Sequence, residues 1–278
     1  MLKQRILAAL VLLPLLLLAV FMLPSIGWQI LLAVILLQGA WEWSAIMQLQ
    51  TPPQRLAYVG LIGLLILGCA VFVGPDISSP ILLAAVVFWL AATVWVAVYP
   101  AGLPADRRLP LRAGAVGVAI IVPLWIAGSG LQIAGTVTGS YTGWWLVIML
   151  MLIFAADTGA YALGRLFGKT KLAPRVSPGK TWEGVAGALL GAALVVAFVW
   201  ALVPLQVVRS NPLGFLLIAL LTVSFSIVGD LTESMFKRHS KLKDSGTIIP
   251  GHGGLMDRID SITAAAPVFA YGLSRLLV

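Results

Sequence analysis

Apolar residues run along this chain in blocks of about 20, the length that a hydrocarbon core of about 30 Å demands of a helix. Nine such windows are legible, near 6–23, 27–47, 57–74, 80–99, 114–134, 143–163, 184–204, 213–233 and 259–277. The pattern predicts an all-α, polytopic transmembrane protein of about nine spans. No polar stretch between windows exceeds about 25 residues, which leaves no room for an independent water-soluble domain. The first window follows Lys3 and Arg5 and ends at Pro24-Ser25 without a small-x-small cleavage site, so it is read as a retained anchor rather than a secretory signal.

Composition agrees: 60% of residues are hydrophobic, mean hydropathy is +1.04 and only 10% of residues are charged. The placement of Lys and Arg then sets an orientation, because basic residues of short loops are held on the cytoplasmic side. With the N-terminus inside, sixteen of the eighteen basic residues fall on inner segments, and only Arg209 and Arg275 fall outside. The two richest loops, 165–180 and 237–258, are therefore expected to face the cytoplasm. Basic inner loops with so little soluble mass point to a bacterial plasma membrane. The net charge of +8 sits in membrane-flanking loops with no nucleic-acid module around them, which favours anionic lipid and nucleotide phosphate as partners over nucleic acid. Cys69, alone and inside the third window, excludes a disulfide framework and a thiolate metal site.

Acidic residues are more informative, since orientation does not account for them. Glu42, Asp76 and Asp106 lie early, and the other seven of the ten fall between 157 and 260. The chain is thus expected to divide into 1–140, an anchor and cavity wall, and 141–278, a chemically loaded region of the same integral domain. Trp41 and Trp43 around Glu42 read as an interfacial aromatic belt.

The loaded region holds two blocks. The first, 157–183, combines Asp157, Gly159, Gly164 and Gly168 with Arg165, Lys169, Lys171, Arg175 and Lys180, and closes on Ser177-Pro178-Gly179-Lys180-Thr181 and Glu183. Glycines let backbone N–H groups approach an anion while cations and hydroxyls supply charge and donors, so phosphate is the ligand such a loop suits. The SPGKT run lacks the spacing of a Walker loop, and no strand is expected before it in a helical chain. A positive-inside loop with turn glycines is the structural alternative.

The second block begins at the end of the eighth window, where Asp230 and Glu233 stand at i and i+3 on one helix face with Lys237 a turn further on. Asp257 and Asp260 repeat the spacing at the entrance to the ninth. Two antiparallel helices would bring the four carboxylates together. Mg²⁺ is held by one or two carboxylates plus substrate phosphates, which suits a metal nucleotide. Zinc fits poorly, with only His239 and His252 available. From the end of the first pair to the end of the second, the 27 residues 234–260 carry ten that are charged or histidine. Structural readings stay open for several: Asp260 beside Arg258 and Asp244 beside Lys243 as caps or ion-pair partners, Asp157 as an intramembrane ion pair, His252 as a turn residue. Against that last reading, Gly251, Gly253 and Gly254 suggest close backbone approach to a ligand.

These residues resemble the phosphatidate cytidylyltransferases, also called CDP-diacylglycerol synthases. The resemblance rests on Ser234, Lys237-Arg238, Lys243-Asp244, Pro250, His252-Gly253-Gly254 and Asp257-Arg258-Ile259-Asp260. Upstream it adds Asp157-Thr158-Gly159-Ala160-Tyr161, Gly164-Arg165, Phe167-Gly168-Lys169 and Ser177 through Gly184 without a break. Together these cover about 105 residues, whereas over the first 140 only hydropathy and topology agree. The resemblance implies transfer of CMP from CTP to phosphatidate, giving CDP-diacylglycerol and pyrophosphate, with a homodimer as the assembly. It implies Asp230 and Asp257 on Mg²⁺, with Glu233 and Asp260 behind them or on a second cation. Lys237, Arg238, Lys243 and Arg258 would hold phosphates, with Asp244, His252 and Ser234 in the same site. Ser177, Lys180, Thr181, Glu183, Arg165 and Lys169 would bind substrate from the other loop.

Two other classes are weighed against this. A CTP-dependent lipid kinase of the polyprenol or phytol type shares the helices and the nucleotide but releases CDP. A transporter places its ligand near the bilayer midplane between repeats, and no convincing repeat is present here. The Asp-Gly, Ala-Arg and Gly-x-x-x-Asp-x-x-x-Asp succession of CDP-alcohol phosphotransferases is missing.

Overall fold

The structure is a computed structural model that describes residues 2–99, 109–137, 143–203, 205–246, 248 and 253–277, with backbone alone at 2–10, 109, 136 and 137. Long helices dominate it: α1 (Leu2–Met22), α2 (Ser25–Ile46), α3 (Pro52–Phe72), α4 (Pro80–Ala97), α5 (Leu109–Val137), α6 (Trp144–Phe167), α7 (Trp182–Leu202), α9 (Pro212–His239) and α10 (Met256–Leu276). A short α8 (Gln206–Ser210) joins α7 to α9. Each apolar window falls on one of the long helices. Among the described residues seven helices are long and apolar enough to cross a membrane, and Val11–Met22 adds a shorter apolar stretch. Helix α10 is not one of the seven; Asp257, Arg258 and Asp260 lie in its first turns and Arg275 in its last. The protein is an all-α polytopic membrane protein.

Helix α5 lies at the centre, 83% of its apolar window being buried. Neighbouring helices are tied to it by indole and phenol donors reaching its backbone carbonyls. Trp28 Nε1 donates to Gly128 O at 3.0 Å, Trp43 Nε1 to Ala113 O at 2.7 Å and Tyr58 OH to Gly114 O at 3.1 Å. A buried aromatic N–H or O–H needs a partner, and these three find one on the same helix. The result corrects the reading of Trp43 as interfacial: its side chain is fully buried.

Helices α6 and α7 pack through glycine. A Cβ on Gly191 would come within 2.5 Å of Ala155 O, one on Gly184 within 3.1 Å of Ala160 O, and one on Gly187 would collide with Gly159 O. The glycines of 184–191 are therefore spent on contact within the chain. The same packing accounts for Gly159 and Gly164. Both lie inside α6, where backbone N–H groups are consumed by the helix, and Gly168 N donates to Gly164 O at 3.1 Å. The expectation that these three present N–H groups to an anion is overturned.

Between α6 and α7 the structure departs from an unbroken run of helix. Strands β1 (Lys171–Ala173) and β2 (Ser177–Thr181) form an antiparallel hairpin, pairing Lys171 with Thr181 and Ala173 with Ser177. The SPGKT run is thus itself a strand with another before it. Thr181 ends the hairpin and starts α7, its Oγ1 accepting from Gly184 N at 3.1 Å as an N-cap. Glu183 accepts from Thr170 N at 3.1 Å and so ties the first turn of α7 to the entrance of the hairpin.

Candidate active site

Helices α9 and α10 run antiparallel in close contact: Gly229 faces the backbone of Asp260, and Gly272 faces Ile218. This brings the last turns of α9, the first turns of α10 and the loop between them to one end of the bundle. The hairpin reaches the same end, with Lys180 Nζ of β2 placed 2.6 Å from Asp230 Oδ2 of α9. Ser234 Oγ donates to the other Asp230 oxygen at 3.2 Å. The two charged blocks of the sequence meet at this ion pair.

Asp230 and Lys180 line a cavity of about 330 Å³ together with Asp157, Arg165, Ser226 and Ser261. Asp157 lies within electrostatic reach of both Lys180 and Asp230. Arg165 lies over the Tyr161 ring, 5.8 Å from its centre, and a guanidinium nitrogen lies 2.5 Å from the Tyr161 hydroxyl. An apolar groove of about 540 Å³ adjoins this cavity, sharing Leu172, Val185 and Ile227 as walls, with Arg175 among its lining residues. A polar chamber beside an apolar one suits a substrate with a charged head and a hydrocarbon body.

Deeper in, Lys237 is buried between Glu233, 3.3 Å away on its own helix, and Asp257 of α10. Asp257 is fixed on both oxygens: Oδ1 takes the Lys237 ammonium, and Oδ2 accepts from Ser245 N at 2.9 Å and Gly254 N at 2.8 Å. Asp260 accepts from Ser261 N at 2.6 Å and interacts electrostatically with Asp230, Lys180 and Lys237. The four carboxylates are thus interleaved with two lysines, and among the described residues no three acidic, histidine or cysteine side chains converge as a ready metal cage. Both Glu233 oxygens are nevertheless buried without a hydrogen bond.

The remaining residues singled out by the sequence are distributed around this centre. Arg238, Lys243, Asp244 and Arg258 are exposed at the end of α9, on the following loop and at the start of α10. Lys169 is exposed at the entrance to the hairpin and Ser177 opens β2. Ser177, Lys169 and Glu183 do not line the polar cavity, whereas Lys180, Thr181 and Arg165 do. His252, with Pro250 and Gly251, lies outside the described residues. Gly253 adopts φ +85°, a left-handed backbone, and a Cβ there would stand 2.9 Å from Asp257 Oδ2. A Cβ on Gly254 would stand 2.5 Å from Glu42 Oε2. These two glycines admit the protein's own carboxylates, which corrects their reading as an approach to ligand.

Glu42 is the residue that sequence reasoning missed. It is 4% exposed, and it accepts from Ser245 Oγ at 3.0 Å, Leu255 N at 3.0 Å and Met256 N at 2.9 Å. The flanking tryptophans suggested a membrane interface. The available signal was simpler, a lone carboxylate inside an apolar window.

A membrane-embedded helical bundle with an ion-lined chamber beside an apolar groove defines a class, enzymes or carriers of amphiphilic substrates. Comparison with known proteins narrows it. Residues 3–276 match the family model described as the cytidylyltransferase family. The phosphatidate cytidylyltransferase of Pseudomonas aeruginosa is 43% identical over 270 residues, which is 97% of this chain and 96% of that protein. That of Haemophilus influenzae is 38% identical over 283 residues, 98% of each. That of Bacillus subtilis is 43% identical over 129 residues, 45% of each. The chain belongs to the cytidylyltransferase family.

Proposed function

We propose that this protein is a phosphatidate cytidylyltransferase, making CDP-diacylglycerol and pyrophosphate from CTP and phosphatidate at the cytoplasmic face of a bacterial plasma membrane. The observation that carries the reading is the meeting of Lys180 and Asp230 in a polar chamber walled off from an apolar groove by only three side chains. Nearly full-length likeness to bacterial relatives of that name supports it.

The reaction joins two anions. A phosphate oxygen of phosphatidate attacks the α-phosphorus of CTP; the bond from that phosphorus to the bridging oxygen breaks, and its electron pair leaves with pyrophosphate. Repulsion and orientation are the obstacles, so positioned positive charge is the main requirement. Lys180 and Arg165 supply it inside the chamber, and Arg238, Lys243 and Arg258 supply it at the rim. Phosphatidate is already ionised near neutral pH, so no strong general base is needed, and among the described residues none that line the chamber is histidine. Displacement proceeds in line, without a covalent enzyme intermediate.

The residues fit a divalent cation of the magnesium type. The donor set is all oxygen, and Glu233, whose Oε1 faces the Lys237 ammonium at 3.3 Å, keeps its other buried oxygen without a partner beside Asp257 and Asp260. Mg²⁺ takes one or two carboxylates and completes its shell with water and substrate phosphates, so a preformed cage is not required. Asp230 and Asp257 would hold it, with Glu233 and Asp260 supporting them or holding a second cation. When bound, it supplies charge neutralisation on the phosphates.

The position of the label tests the reading. CTP labelled at the α-phosphate should yield labelled lipid, and CTP labelled at the γ-phosphate should yield labelled pyrophosphate. Label passing from the γ-phosphate into lipid with release of CDP would replace this reading with that of a lipid kinase.

A further inference from the structure

Glu42 lies on α2, some two hundred residues before the Asp257 loop, and nothing in the reaction above uses it. Its surroundings tie it to that loop. Oε2 accepts from Ser245 Oγ and Met256 N, and Oε1 accepts from Leu255 N, with Gln38 Nε2 at 3.5 Å from the same oxygen. Asp257 accepts from the backbone N–H of Ser245 and Gly254. Ser245 therefore gives its hydroxyl to one carboxylate and its N–H to the other. The two carboxylates share one short stretch of donors, each taking those the other leaves.

Packing around Glu42 is built for this contact. A Cβ on Gly254 or Gly246 would strike the Glu42 carboxylate, and a Cβ on Gly39 would stand 2.9 Å from Met256 Sδ. Glycine at these positions lets α2 lie against the loop and the first turn of α10. Leu255 and Met256 contribute N–H groups at that helix start, where a carboxylate is favoured by the unpaired donors.

We infer that Glu42 is a positioning residue for Asp257: by holding Ser245, Leu255 and Met256 it fixes the loop whose N–H groups orient the Asp257 carboxylate. The inference rests on the cytidylyltransferase reading for its kinetic consequence only. The requirement is for two acceptor oxygens, because Leu255 N and Met256 N address different ones. A glutamine has the same shape but offers one acceptor and two donors, so a mismatch with at least one N–H is unavoidable.

The test uses the full-length protein in detergent micelles, comparing Glu42→Gln and Ser245→Ala with the parent. Glu42→Gln should lower kcat by about 10- to 100-fold, the range seen when partners that orient a ligand are removed, with KM for CTP and phosphatidate within about twofold. Hydrogen exchange should quicken at Ser245 and at 254–256 while α2 and α5 stay protected. Ser245→Ala, which keeps both carboxylates, should give a smaller loss with the same local exchange pattern. Unchanged kcat in Glu42→Gln, or a loss of protection spread over the whole bundle, overturns the inference. If the parent protein transfers no CMP, the functional reading fails on its own, and the exchange comparison still decides whether Glu42 holds the loop.

Discussion

Lys180 on β2 and Asp230 on α9 lie 2.6 Å apart, and this pair closes the polar chamber by joining two segments fifty residues apart in the chain. Both side chains remain about a quarter to a third exposed, at 25% and 31%. A pair so placed adds little to stability and stays open to exchange of partners. Its arrangement is that of a site prepared for phosphate and cation rather than of a structural clamp.

Replacing Asp230 by Asn should therefore remove activity and leave the fold intact. Turnover is expected to fall more than about a hundredfold. The melting temperature in detergent should move by no more than about 3 °C, since a solvent-accessible ion pair is worth only about 0 to 1 kcal/mol. Steady-state kinetics and thermal unfolding on the same preparation check both halves. Normal turnover would remove Asp230 from the site.

Lys180→Ala acts on substrate rather than on metal. Loss of one charge-assisted contact to phosphate, worth about 1.5 to 3 kcal/mol, should raise KM for CTP or for phosphatidate by about tenfold or more. The Mg²⁺ concentration for half-maximal rate should stay where it was. Unchanged KM for both substrates contradicts the assignment.

Lys237 presents the opposite case. Its ammonium is buried between Glu233 and Asp257, whose side chains are 3% and 8% exposed. Lys237→Met leaves two buried carboxylates uncompensated and should cost about 3 to 5 kcal/mol, lowering the melting temperature by roughly 10 °C. Adding Glu233→Gln should recover part of the loss, because one of the stranded charges is then gone. A single variant as stable as the parent would show that the buried triad does not operate.

Gly187→Ala tests the α6–α7 contact. A methyl there meets the Gly159 carbonyl, backbone that has no easy way to move, and destabilisation of about 1 to 3 kcal/mol is expected. Gly179→Ala is the control, since open space surrounds that position. Equal melting temperatures for the two variants would contradict the packing described.

Much of this was legible beforehand, for identifiable reasons. Helices of a membrane protein announce themselves by length and hydropathy, and α9 and α10 carried their carboxylates at a spacing that only a helix makes meaningful. What was not legible depended on partners far along the chain. The hairpin escaped because 171–181 shows no alternation of apolar and polar residues, and Pro178 and Gly179 read as a turn. Gly159 and Gly164 were misassigned: Gly159 falls inside the sixth window and Gly164 directly follows it, and both sit in α6, where N–H groups are already in use. Glu42 was taken with its tryptophan neighbours, and its donors lie at Ser245, Leu255 and Met256, which no local pattern connects to it.

The measurement that bears most directly on the central claim follows purified protein in liposomes with Mg²⁺, phosphatidate and α-labelled CTP, counting CMP entering lipid and pyrophosphate released in the same vessel. Equal amounts of the two, with neither formed when phosphatidate is left out, are the predicted result. CDP in place of pyrophosphate, or CTP left unchanged with every lipid acceptor offered, would contradict it.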